Sequence, residues 1–264
     1  MTSSTKQPGI ILRIIRRLFS MWFISLFLGF FIIASPLFFI TLSFNTRFTH
    51  DIAHLINTIW GYLVTYPVGV RITRENAGQL KKDRTYIFAS NHASYLDIPV
   101  CTIGIPVSFR FMGKAELANI PLFGWMFGRL HIPVNRDSRK DSYNSFHKAK
   151  EKLAQGVSVL VYPEATIPDK KSVILGRFKE GAFRMAIEHQ LPLVPVILIG
   201  TNKALPDDGK FVIRPAKIRV VFGDAIETTG MTIEDVPKLR TRVFDLIHSK
   251  LVAEKQNEKN RSVE

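Results

Sequence analysis

Residues 86–97 read Tyr86-Ile87-Phe88-Ala89-Ser90-Asn91-His92-Ala93-Ser94-Tyr95-Leu96-Asp97. The first four are apolar and too few for a helix, so they predict a short strand of the buried type. Small and polar residues follow at once, and a helical stretch is expected over 94–102. Strand, sharp turn and helix in that order form the repeating unit of an α/β fold, whose ligand sites lie beyond the carboxyl ends of strands. His92 and Asp97 stand at that place.

Outward from this stretch, short apolar runs alternate with longer periodic ones. Strands are expected at 68–73, 86–89, 108–112, 131–134, 157–162, 193–199 and 218–222. Helices are expected at 94–102, 122–128, 138–154, 181–188 and 233–253. The fold class is therefore α/β, a mixed and largely parallel sheet flanked by helices. The expected domains are a membrane-anchoring helical segment over 1–66, the α/β domain over 67–254 and a frayed polar tail over 255–264.

A neutral imidazole takes a proton from a hydroxyl, and a carboxylate on its other nitrogen fixes the tautomer. On one regular helix, His92 and Asp97 would face about 140° apart. The pair works best with His92 in the turn and Asp97 in the first turns of the helix. Two more strand ends carry polar groups: Tyr162 leads into Pro163-Glu164-Ala165-Thr166, and His131 to Asn135 leads into Arg136, with Arg139 and Lys140 behind it. An Arg at such an end holds phosphate bidentately. A basic loop with Lys170, Lys171, Arg177 and Lys179 follows. No metal site is expected, and no Walker loop, dinucleotide fingerprint or Gly-x-Ser-x-Gly elbow occurs.

Residues 21–44 form a run of 24 without one charge. As a helix it would reach roughly 36 Å, against about 30 Å for a bilayer core. Its length exceeds the roughly 7–15 apolar residues of a cleaved signal peptide, so it is expected to stay on the protein. Pro36 is expected to break or kink it. Next, apolar residues at 52, 55, 56, 59, 60 and 63 share one helical face, which predicts an amphipathic helix lying on the bilayer or packing on the domain. Lys6, Arg13, Arg16 and Arg17 put the N-terminus on the cytoplasmic side. A single span and a re-entrant hairpin both fit that run.

The 264 residues carry 36 Lys and Arg against 22 Asp and Glu, a net charge of +14. That balance fits an anionic partner, a membrane surface or a nucleic acid. Hydrophobic residues at 46% exclude a disordered chain, and a lone cysteine, Cys101, excludes an internal disulfide framework. The basic residues lack the interleaved aromatics of a base-stacking surface, so nucleic acid is not expected as a partner.

Four ordered blocks resemble the glycerolipid acyltransferase family that includes 1-acyl-glycerol-3-phosphate acyltransferases. They are Asn91-His92-Ala-Ser-Tyr-Leu-Asp97; Lys114-Ala-Glu116-Leu117 through Gly128 to Arg136; Tyr162-Pro163-Glu164-Ala165-Thr166; and Leu193-Val-Pro195-Val. The resemblance implies transfer of an acyl chain from acyl carrier protein or coenzyme A thioester to a lysophosphatidate hydroxyl, making phosphatidate, with no cofactor beyond that co-substrate. It makes His92 the general base and Asp97 its orienting partner. It places Asn91, Lys114, Arg136, Glu164, Ala165, Thr166 and Arg177 at the substrate, Arg136 and Lys114 on the acceptor phosphate, in a membrane protein whose catalytic domain faces the cytoplasm. The third block departs from the usual Phe-Pro-Glu-Gly-Thr-Arg: Ala165 replaces Gly and Ile167 replaces Arg, so a basic-loop residue would have to compensate. A lyso-aminolipid acceptor stays open, as does a non-enzymatic, membrane-anchored anion-binding protein.

Overall fold

The structure, a computed structural model, describes residues 10–44, 46–120, 123–135, 138–168, 173–209 and 211–261. Its centre is a seven-stranded sheet of β1 (Val70–Glu75), β2 (Ile87–Ser90), β3 (Phe109–Lys114), β4 (Ile132–Val134), β5 (Ser158–Val161), β6 (Leu193–Ile199) and β7 (Ala216–Phe222). The order is β1-β7-β6-β2-β5-β3-β4. Every pairing is parallel except β6 with β7. Each expected strand is present, with ends moved by a residue or two; β6 keeps its expected ends.

The period-2 alternation of a strand explains the layers. Along β2, Phe88 enters one hydrophobic core while Ile87 and Ala89 enter the other. Helices cover both faces, so β2 and β6 are buried at every position. Against the Phe88 face pack α1 (Ile10–Ser43), α2 (Arg47–Thr65), α3 (Asp97–Gly104) and α4 (Phe123–Leu130). Against the other lie α5 (Arg139–Ala154), α6 (Gly181–Glu188) and α8 (Val236–Arg261). The short α7 (Thr201–Ala204), not anticipated from periodicity, follows Gly200, whose φ of 94° suits glycine.

Three expectations are corrected. Pro36 does not break α1, which continues through it. Proline leaves the Ile32 carbonyl without its helical N–H, and Ser35 Oγ donates to that oxygen at 2.9 Å instead. The polar tail does not fray at 255: α8 runs to Arg261. Glu254 pairs with Arg219 at 2.7 Å and Glu258 with Lys203, tying the last turns to the domain. Third, the apolar stripe expected on α2 is split. Ala53, Ile56, Trp60 and Val64 are buried, while Leu55, Ile59 and Leu63 are exposed.

The N-terminal helix is held along its length. Ser20, Phe23, Phe31, Ala34, Phe38 and Thr41 form a buried stripe at helical spacing. Near one end Ser20 Oγ accepts the Ile213 N–H at 3.3 Å and Phe23 meets Phe211. Near the other, Phe39 stacks on Trp125 with ring centroids 5.5 Å apart. Between these contacts α1 advances about 28 Å, so it lies along the domain and forms a hairpin with α2. Its outer face stays apolar: Ile14, Trp22, Leu28, Ile33 and Ile40 are exposed. By length and composition Ile14–Ser43 suffices to cross a membrane. A continuous exposed apolar face of this kind needs lipid or another apolar partner.

Candidate active site

Neighbouring strands assemble the site. β2 pairs with β5, placing Ala89 opposite Val161, so the turns after them meet. The turn after β2 carries His92, and the turn after β5 carries Tyr162 and Glu164. Asp97 opens α3, where a carboxylate suits the positive end of the helix dipole. That helix starts three residues later than periodicity suggested. Ser94 is engaged in a turn, accepting the Leu96 N–H and donating to the Leu205 carbonyl at 2.7 Å.

His92 Nδ1 lies 2.8 Å from Asp97 Oδ2, and the Asp97 side chain is fully buried. The same oxygen accepts the N–H groups of Ala93 and Ser94 at 2.8 and 3.0 Å. A carboxylate oxygen that accepts all three bonds makes Nδ1 the donor nitrogen of the ring. Nε2 is then the free acceptor. Tyr162 stacks on the imidazole with centroids 4.2 Å apart and planes 16° off parallel.

His92 opens into a cavity of about 460 Å³. Trp60, Phe111, Phe123, Met126 and Phe127 make it mainly apolar, while Lys114, Glu116, Tyr95, Thr166 and Asp207 add polar groups. An apolar cavity with a few polar groups and an imidazole suits a ligand with a long apolar part and a polar end.

The other expected site residues divide. Lys114, Ala165 and Thr166 line the cavity; Lys114 also pairs with Glu116 at 3.1 Å. Asn91 does not: its amide donates to the Leu198 carbonyl and accepts the Leu198 N–H, bolting the turn to β6. Glu164 is a brace as well. One carboxylate oxygen accepts the His92 N–H at 2.7 Å and the other the Gly176 N–H at 2.6 Å. Burial pushes the Glu164 carboxyl above its usual range, opposed by those two bonds. Arg177 lies outside the cavity, in a separate groove with Phe178, Arg240 and Thr241, so it does not replace the Arg absent at Ile167, which itself lines the cavity. Arg136, Lys170 and Lys171 lie outside the described residues.

Asp207, Tyr95 and His131 escaped the reading as cavity residues. Asp207 follows α7, more than 100 residues beyond His92, and no local pattern links them. Burial holds His131 in its neutral form, its pKa well below the ordinary range. His50 and His54 stand one helical turn apart, a spacing a metal site can use. Among the described residues, however, no group of three ligating side chains gathers.

The family model described as Acyltransferase matches residues 71–199. A 1-acyl-sn-glycerol-3-phosphate acyltransferase of Chlamydomonas reinhardtii is 29% identical over 85% of this chain and 67% of its own. A chloroplastic one from Arabidopsis thaliana is 30% identical over 64% of this chain, which spans 47% of that relative's length. The human 1-acyl-sn-glycerol-3-phosphate acyltransferase alpha is 29% identical over 68% of this chain and 63% of its own. The crystal structure of a 1-acyl-sn-glycerophosphate acyltransferase from Thermotoga maritima superposes with a TM-score of 0.77, covering 92% of this chain and 97% of that one at 22% identity. At that identity the likeness speaks for the fold.

Proposed function

We propose that this chain, which the acyltransferase family model matches over residues 71–199, acylates lysophosphatidate to phosphatidate, using His92 as general base. The observation that carries the reading is the His92–Asp97 pair opening on an apolar cavity that suits an acyl chain. In the first step Nε2 of His92 accepts the proton of the acceptor hydroxyl as its oxygen attacks the thioester carbonyl. The carbon–sulfur bond of the tetrahedral intermediate then breaks, and the imidazolium returns its proton to the leaving thiolate. Asp97 keeps the imidazole in the right tautomer and stabilises the cation in between. No acyl-enzyme and no cofactor enters this sequence. The N–H groups of His92, Ala93 and Ser94 are already bonded to carboxylates. The oxyanion therefore takes its donors from elsewhere on the rim.

Lys114 meets the acceptor phosphate from the cavity wall, and Arg136 joins it by its place in the second block. The exposed apolar face of the α1–α2 hairpin seats the protein in one leaflet, with the domain on the cytoplasmic side where acyl carrier protein and coenzyme A thioesters are made. A second reading is favoured by Ile167, an apolar cavity residue where the family usually has Arg: the acceptor is then a lysolipid without a phosphate, such as an aminolipid. Purified protein assayed with both acceptors and both donors separates the two. Turnover of lysophosphatidate, abolished by His92→Ala in a protein that still folds, supports the first. Turnover of the aminolipid alone moves the acceptor to the second, and activity of His92→Ala within a few-fold of wild type sinks the assigned base.

A further inference from the structure

A single hydrogen bond does not fix an imidazole. With Nδ1 held by Asp97, the ring of His92 remains free to swing about that contact, carrying Nε2 across several possible positions. A second constraint is present, supplied by the face of Tyr162, nearly parallel to the imidazole at a centroid distance of 4.2 Å. Tyr162 is itself wedged. Phe111 of β3 stacks with it at 6.4 Å and 21°. Its hydroxyl donates to Cys101 Sγ at 3.6 Å, one turn beyond Asp97 on the same helix. Burial drives both the Tyr162 phenol and the Cys101 thiol toward their protonated forms, so this contact stays uncharged. The bond to Asp97 fixes one edge of His92, and the stack fixes its plane.

We propose that Tyr162 is a positioning residue for His92, holding the imidazole plane so that Nε2 addresses the acceptor hydroxyl and laying an aromatic face under the cation formed in transfer. An aromatic face carries negative charge density and attracts a cation lying over it. The stack therefore favours the imidazolium that exists only after proton transfer, an interaction that raises kcat rather than substrate affinity. The contact with Cys101 links the Tyr162 ring to α3, the helix that Asp97 opens. This inference rests on the acyl-transfer reading for its kinetic part only.

The test joins two measurements on the full-length protein in detergent. Histidine-labelled wild type is examined by NMR, with His92→Ala identifying the His92 ring signals. The Tyr162 ring current should move them upfield; signals at random-coil positions in wild type would overturn the stack without any activity being needed. Kinetics with lysophosphatidate and an acyl thioester then compare Tyr162→Leu with Tyr162→Phe. The Leu variant should lose roughly ten- to a hundredfold in kcat with KM within about twofold, while Phe stays within a few-fold of wild type. A Leu variant as active as wild type, or a loss carried wholly by KM, overturns the proposal. Should the Leu variant fail to fold, the wild-type spectrum and the Phe variant decide: Phe must keep both the upfield signals and kcat. A wild type with no turnover on any lysolipid would overturn the activity instead, leaving the ring geometry to the spectrum.

Discussion

Oδ2 of Asp97 accepts three hydrogen bonds, from His92 Nδ1, Ala93 N–H and Ser94 N–H, all at 2.8 to 3.0 Å. One buried oxygen thus shapes the turn and orients the His92 imidazole together. In Asp97→Asn the amide presents one oxygen and a donor in place of a carboxylate. The tautomer of His92 is then no longer enforced and the imidazolium loses its counter-charge. Activity should fall by on the order of a hundredfold or more. Steady-state kinetics at fixed pH, beside a thermal melt showing a folded protein, check this.

Glu164 links stability to pH. Its carboxyl is raised in the folded protein by burial, so the folded state binds the proton more tightly than the unfolded chain. Its contribution is fully present below the unfolded value of 4.5 and is lost as pH rises through the raised folded value. Glu164→Gln removes that titration, and its amide cannot accept both the His92 and Gly176 N–H groups, at a cost of about 1–3 kcal/mol. The melting temperature of wild type should fall relative to that of Glu164→Gln as pH rises from 4 toward neutrality. A constant difference would contradict the assignment.

Ala165 occupies a left-handed conformation, with φ of 65°, where the family usually has glycine. A Cβ is costly there, although glycine also loosens the unfolded chain. Ala165→Gly should therefore stabilise by up to about 1 kcal/mol, seen as a higher urea midpoint with an unchanged slope.

Ile167 lines the cavity without supplying a charge. Ile167→Arg places a bidentate phosphate donor beside the acceptor. For lysophosphatidate KM should fall several-fold, while an uncharged lysolipid should gain nothing. Equal gains for both acceptors would argue against a phosphate at this wall.

Ile33 is 82% exposed and Phe48 73% exposed on the hairpin's outer face. Replacing both with Asp should leave the melting temperature in detergent nearly unchanged, since neither side chain packs in the core. Flotation with liposomes should drop sharply, because two charges would enter the headgroup and acyl boundary. Unchanged flotation would place the membrane contact elsewhere.

Local pattern alone determined the strands and most helices of this protein, the long apolar helix and the His92–Asp97 spacing. Each depends on periodicity or on neighbours within a few residues. Asn91, Glu164 and Arg177 show where that reach ends. The family resemblance places all three at the substrate. Folding instead set Asn91 against β6, Glu164 between two backbone N–H groups, and Arg177 in another groove. Arg110 of β3 lies fully buried, with its guanidinium on the carbonyls of Phe109 and His50. A polar side chain acts on whatever lies within about 3 Å of it, and for these residues that neighbour is distant in the chain or is backbone. Which residues meet at the His92 turn was decided by the sheet order β6-β2-β5-β3. Whether α1 stands clear of the domain or lies along it was decided by Ile213, Phe211 and Trp125, whose contacts with Ser20, Phe23 and Phe39 only the tertiary fold could supply.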